Sequence, residues 1–212
     1  GAYGQEVSRL INSIDCYDYK KGKFIKLHKD ECNFTYRNSI FKNNTLIIYN
    51  INFITNYKNM LNLEYESIKK YISTHNTNIS NIKLKDASVM ITNIRNSILP
   101  NHVKIPNVGS FFKNSIVKID DIDTTKHSLN ELITWKIDSQ FVKVGSARLI
   151  DLIKDDLNKY ENVNIYKNHS LVLITNSKAS QEEVLNFADN IKQKVYEVFK
   201  ISMDIEPTII TN

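Results

Sequence analysis

Ser170-Leu171-Val172-Leu173-Ile174-Thr175, followed after a short loop by Ser180-Gln181-Glu182-Glu183-Val184, decides the class of the fold. The first piece is a short apolar run of the kind a buried strand needs. The second opens a long helix over 181–199. Ser180 stands at the N-cap and Glu183, three places on, answers it with capping-box spacing. Val184, Ala188, Ile191, Val195 and Val198 recur at three and four residues and give this helix one apolar face. A buried strand feeding an amphipathic helix requires layers of both kinds.

Working back from that pair, the pattern predicts a helix from about 146 to 158, a strand at Phe141–Val144 and a helix near 127–136. Pro100 and Pro106 bracket a stiff connector, which places a domain boundary near residue 99. Before it, helical spacing runs over 64–73 and 84–98, the latter through Leu84, Ala87, Ile91, Ile94 and Ile98. Leu46 to Ile54 is rich in Ile and Tyr and reads as a strand. Residues 6–18 and 23–28 alternate as two more strands, turned at Lys20-Lys21-Gly22. Forward of the long helix, a last strand runs to Glu206-Pro207. Strands and helices interleave, so the class is mixed α/β or α+β, with no internal repeat.

The net charge of +5 invites a nucleic-acid reading, but only Arg9, Arg37, Arg95 and Arg148 are arginines. The lysines are dispersed among Asn, Ile and Tyr, without the basic tract or aromatic ladder that RNA binding uses. A solvated surface is the expected use of this charge. No apolar run approaches the roughly 18 residues that span a bilayer. No basic-then-apolar leader precedes the first elements either. Cys16 and Cys32 lack metal-ligand spacing and read as free thiols in a reducing cytoplasm. The five histidines pair with no Cys, Asp or Glu at ligand spacing, so no metal is expected. Glycines are scarce, with no GxGxxG and no Walker loop to close on a pyrophosphate. The chain opens at Gly1-Ala2-Tyr3-Gly4 without Met, and reads as a fragment or processed product.

Three places carry candidate chemistry. Arg37, in Tyr36-Arg37-Asn38-Ser39, offers a fork that could grip a carboxylate or a developing enolate; a surface turn is the ordinary alternative. In Val108-Gly109-Ser110-Phe111-Phe112-Lys113-Asn114, the glycine permits close approach and Ser110 sits at a bend. The two Phe would pack behind it, and Asn114 could orient a polar ligand; a strand edge with a buried Phe pair is the ordinary alternative. No triad partner is in view for Ser110, but delivering a proton to a carbanion needs none. Glu206 is a strand-end carboxylate that could assist proton transfer.

Gly1-Ala2-Tyr3-Gly4-Gln5-Glu6, Cys32 to Lys42, Gly109 to Asn114, Leu171 to Asn176 and Glu206-Pro207 come in that order. Together they resemble the UDP-N-acetylenolpyruvoylglucosamine reductases, the MurB family, nearly end to end. The resemblance implies an α+β fold: the remainder of a FAD-binding α+β domain over 1–99, a smaller α/β substrate-binding domain over 100–200, and a C-terminal strand over 201–212 carrying Glu206. It implies an oxidoreductase that reduces the enolpyruvyl ether of a UDP-sugar to UDP-N-acetylmuramate with FAD and NADPH, in cytoplasmic peptidoglycan synthesis. Carried over residue by residue, Ser110 is the acid, and Arg37 and Glu206 flank the substrate carboxylate. Tyr65, Asn114, His169 and Arg95 meet the substrate. Tyr3 and Arg37 lie near the flavin. The implied partner is the UDP-sugar, with no nucleic acid and no membrane, and the expected state is a monomer. The family's flavin pyrophosphate loop lies upstream of the residue that matches Gly1, and several places within the chain depart from the family pattern. Ile98 stands where a Lys is usual and Ser115 where Pro is. Lys159-Tyr160-Glu161-Asn162 replaces a glycine-rich turn, and Ile210 replaces an Arg. These departures motivate a second expectation, a relative that binds a UDP-sugar or partner without turnover.

Overall fold

Every strand pairing is antiparallel in the computed structural model, which describes residues 1–43, 45–55 and 61–210. The chain divides into two units, Gly1–Ile94 and Arg95–Asn212. Strands in antiparallel pairs with segregated helices make the fold α+β.

The first unit centres on a three-stranded sheet in the order β2-β1-β3, from β1 (Ile11–Asp18), β2 (Lys23–His28) and β3 (Leu46–Phe53). The β1–β2 turn is locked by Asp18, whose carboxylate accepts from the backbone N–H of Lys20 and Lys21, both at 3.1 Å. Gly22 closes it with φ of 62°. The strand expected from residue 6 starts only at Ile11, because Val7–Arg9 coil into a 3-10 turn. Two helices follow, α1 (Glu66–Thr74) and α2 (Leu84–Ile98), the second with the bounds its periodicity predicts. Cys16 and Cys32 are free thiols buried with Ile11 and Ile14, and burial pushes both thiols up.

The second unit holds a sheet in the order β4-β6-β5, from β4 (Ser115–Lys118), β5 (Thr134–Lys136) and β6 (Phe141–Val144). It also holds the hairpin β7 (Val163–Tyr166) and β8 (His169–Thr175), with helices α3 (Ser146–Ile153) and α4 (Gln181–Phe199). Phe112, Leu149, Ile150, Ile191, Val195 and Phe199 are at most 1% exposed at its centre.

The helix expected near 127–136 is not there. Ser128 and Glu131 cap a single 3-10 turn, Leu129–Glu131, and the next residues become β5 because β6 offers them an edge: Thr134 pairs with Val144 and Lys136 with Val142. The helix expected to run to 158 ends at Ile153, with a 3-10 turn over Lys154–Asp156 beyond it. At α4, Ser180 Oγ accepts from Glu183 N–H as expected, at 3.1 Å. The Glu183 carboxylate turns instead to Asn162, accepting from its backbone N–H and side-chain amide at 3.2 and 3.0 Å, and so pins the turn that departs from the family pattern. After α4 the tail forms one isolated bridge, Ile205 with Phe112, in place of a continuous strand; residues 211 and 212 of that expected strand lie outside the described residues.

Candidate functional site

In the second unit the Gly109–Asn114 segment is held from both sides. Gly109 adopts φ of 76° and its N–H donates to Asn107 Oδ1 at 3.0 Å, which sets the bend. Ser110 bridges Val172, and Phe111 N–H donates to the Leu171 carbonyl at 2.7 Å. On the other edge Lys113 N–H donates to the Asp204 carbonyl at 2.9 Å, and Glu206 N–H to the Phe111 carbonyl at 2.9 Å. Phe111 and Phe112 are both buried, set edge-to-face at 5.4 Å between centroids. Each backbone pairing therefore fixes where Ser110 and Glu206 stand, and the Phe pair supplies the rigid backing. The Ser110 hydroxyl is half-buried and makes no hydrogen bond with the described residues, which leaves its proton available.

His169 starts β8, three residues before the partner of Ser110. Its Nδ1 accepts from Leu171 N–H at 3.3 Å. Burial holds its pKa below the usual 6.5, against the opposing influence of its own backbone and the Asp151 carboxylate. A neutral ring with Nδ1 accepting carries its hydrogen on Nε2, so His169 has a donor there. Beside it, Ser170 Oγ donates to Asp151 Oδ1, tying β8 to α3. Arg95, at the end of α2, lines a cavity of about 800 Å³ with Asn96, Asn101, His102, Asn107 and Gly109, directly before Ser110.

One pair went unread in the sequence. Ile116, Lys143 and Trp135 are cross-strand partners and share one sheet face, while Ser115 and Val144 turn into the core. Lys143 Nζ stands 5.1 Å from the Trp135 ring centroid. Gly145 lets this face approach the start of α3: a Cβ there would meet Ile133 at 3.3 Å and the Trp135 ring at 3.4 Å. The result is an exposed aromatic plate with a cation beside it, a few residues from Asn114. The β5–β6 register that creates it is invisible in a lone Trp and a lone Lys.

In the first unit, Tyr3, Arg37 and Tyr65 come together. Ala2 and Gln5 bridge around Tyr3-Gly4, both with positive φ, 52° and 72°. That is the type I′ turn, which Gly accepts readily and Tyr does not. Thr35 and Asn38 bridge likewise around Tyr36-Arg37, with Arg37 at φ of 54°. Arg37 Nη1 donates to the Gly1 carbonyl at 2.8 Å, joining the two turns. The Tyr3 ring meets Tyr65 edge-on at 5.4 Å. Two non-glycine residues in left-handed backbone at one place mark a site where conformation is held by more than local preference.

These features define an α+β protein with a half-buried serine on a Gly-Ser-Phe-Phe turn in its second unit and a Tyr-Arg cluster in its first. Residues 100–210 match the family described as UDP-N-acetylenolpyruvoylglucosamine reductase, C-terminal domain. The chain belongs to this family, the MurB family. It is 30% identical over 217 residues to the UDP-N-acetylenolpyruvoylglucosamine reductase of Flavobacterium johnsoniae, covering 99% of this chain and 63% of the relative. The reductase of Buchnera aphidicola is 30% identical over 217 residues, covering 100% and 61%. That of Bdellovibrio bacteriovorus is 30% identical over 210 residues, covering 98% and 61%. The chain thus spans about three fifths of the length of these relatives. Among the described residues no helix is long and apolar enough to cross a membrane.

Proposed function

We propose that this chain supplies the proton-donating and substrate-holding parts of a flavin-dependent reductase that converts UDP-N-acetylenolpyruvoylglucosamine to UDP-N-acetylmuramate with NADPH. The reading places it in the cytoplasm as a monomer, with the UDP-sugar as its partner. Residues 1–99 belong to a FAD-binding domain in this reading, 100–200 bind the substrate and 201–212 carry Glu206. The observation that carries it is the Gly109–Asn114 turn: a serine hydroxyl with no competing hydrogen bond among the described residues, on a backbone pinned at both edges.

The first unit's residues fit the edge of a flavin ring. Tyr3 and Tyr65 make an aromatic corner, and Arg37 is anchored beside it by the Gly1 carbonyl. Residues 1–212 hold no glycine-rich pyrophosphate loop, so in this reading the loop that holds the FAD phosphates lies outside this stretch of chain. When bound and reduced by NADPH, the flavin would supply the hydride that the terminal carbon of the enolpyruvyl double bond takes up. The chain's own residues handle the charge and the proton. Arg37 and Glu206 flank the substrate carboxylate, and the Arg37 guanidinium offsets the negative charge that develops there. Ser110 gives its proton to the carbon next to that carboxylate. Arg95, Asn114, His169 and Tyr65 hold the UDP-sugar.

The test is Ser110→Ala in the flavin-loaded, full-length protein. Turnover should fall by about a hundredfold or more while UDP-N-acetylmuramate still binds. Unchanged turnover overturns the assignment. A second reading, binding without turnover, is favoured by Ile98 at the end of α2, where the family usually has Lys. If the flavin-loaded Ile98→Lys variant gains no activity and the UDP-sugar binds regardless, that second reading holds. Residues 1–212 alone should be colourless.

A further inference from the structure

Helix α4 carries a second stripe beside its apolar one. Glu183, Phe187 and Asn190 are spaced four and three residues apart, which sets them along one side of the helix. All three hold residues 158–162, the loop that leads into β7. Glu183 accepts from Asn162, the Phe187 and Tyr160 rings pack at 5.0 Å between centroids, and Asn190 Oδ1 accepts from the Asn158 N–H at 3.0 Å. From β8 the Asn176 side-chain amide donates to Asn162 Oδ1 at 2.9 Å. The loop is thus tied down along its length, and Lys159 stands exposed between the ties.

This loop and β7 wall a cavity of about 420 Å³, the size of a small-molecule site. The Tyr160 and Tyr166 rings line it, and Asn158 and Asn164 bring amides. Its charge is one-sided: Lys154, Lys159 and Lys167 stand against the single acid Asp155. Lys154 is drawn to Asp151 at 3.4 Å, whereas Lys159 and Lys167 make no ion pair among the described residues. A cleft lined by one sign of charge gathers the opposite ion. The Ser110 turn lies elsewhere, because β7 takes one edge of β8 and the Ser110–Val172 bridge takes the other. We propose that this cavity is a second ligand site, for a small organic phosphate, with Lys159 and Lys167 on the phosphate and a flat ring against the tyrosine-lined wall. Ammonium groups hold a phosphate as point charges, and an aromatic wall takes a flat ring by stacking. The proposal does not depend on the UDP-sugar reading.

The probes are adenosine 5′-monophosphate and inorganic phosphate, titrated calorimetrically into the full-length protein saturated with UDP-N-acetylmuramate. Adenosine monophosphate should bind, and inorganic phosphate should bind about tenfold or more weakly beside it, for want of a ring. Lys159→Gln and Lys167→Gln should each weaken adenosine monophosphate about tenfold. Both side chains are exposed, so the unliganded variants should melt with the wild type. Affinity for UDP-N-acetylmuramate should be the same in wild type and variants. Absence of binding by both probes overturns the site, and so does an adenosine monophosphate affinity that neither lysine substitution changes. Binding seen only when UDP-N-acetylmuramate is left out assigns the probe to the Ser110 site and overturns the second one. Inorganic phosphate as tight as adenosine monophosphate overturns the role of the tyrosine wall. If the protein takes up no UDP-N-acetylmuramate, the UDP-sugar reading falls, and the two lysine variants still decide this site.

Discussion

The sheet around β1 and the sheet around β6 use their apolar residues differently. In the second unit, Phe112, Val144, Leu149, Val172, Ile191 and Phe199 are at most 1% exposed, and α3 and α4 contribute to one continuous core. In the first unit β1 is well buried, but β3 leaves Ile47, Tyr49, Ile51 and Phe53 between 38% and 59% exposed. Both sets have strand-like composition. Composition therefore establishes that a strand forms, and the packing partner decides whether its side chains contribute stability. The pinned Ser110 turn stands in the unit with the continuous core, where its Phe pair is part of that core.

A matched pair of truncations tests this contrast most severely. Phe112→Ala should destabilise the second unit by about 3–5 kcal/mol, because it empties a fully enclosed site. Phe53→Ala, on a side chain 51% exposed, should shift stability by about 0.5 kcal/mol or less. Urea unfolding of both variants measures this. Comparable losses would mean that β3 has a packing partner, and the contrast between the sheets would disappear.

The same contrast explains what could be read in advance. The bounds of α2 and α4 follow from their periodicity, because an amphipathic helix writes its own face into the sequence. The Gly109–Asn114 turn was legible from its glycine, its serine and the family resemblance. What failed were elements whose form depends on a distant partner. Residues 134–136 become a strand only because β6 lies alongside, against a local pattern that suggested a helix. Glu183 has capping-box spacing, yet Asn162 outcompetes the cap for its carboxylate. Lys143 over Trp135, and Ser146 on Asn114, are likewise products of register and helix placement rather than of adjacent residues.

A smaller effect probes how well the second unit is finished. Lys200 follows α4 in the left-handed region, φ 57°, where its N–H caps the helix on the Tyr196 carbonyl at 2.9 Å. Glycine adopts this conformation without strain. Lys200→Gly should stabilise by about 0.5–1 kcal/mol in urea unfolding, less whatever the Lys200 contact over the Tyr196 ring contributes. A loss of stability would show that the ring contact outweighs the backbone strain.

The subtlest expected difference is in pH response, and it belongs to the second unit through His169. Burial depresses the pKa of this ring below 6.5 in the folded chain, whereas unfolding restores the ordinary value. Between those two values the unfolded chain binds more protons than the folded one, so stability rises with pH there. The contribution is complete above about pH 6.5 and is lost as pH falls toward the folded pKa. His169→Gln has no titrating ring, so its stability should vary less with pH over that interval than the wild-type stability does. The readout is the difference between the two unfolding midpoints at pH 7.5 and on stepping down through pH 6. A wild type and a His169→Gln variant that lose stability in parallel would show that burial at the start of β8 does not govern this ring.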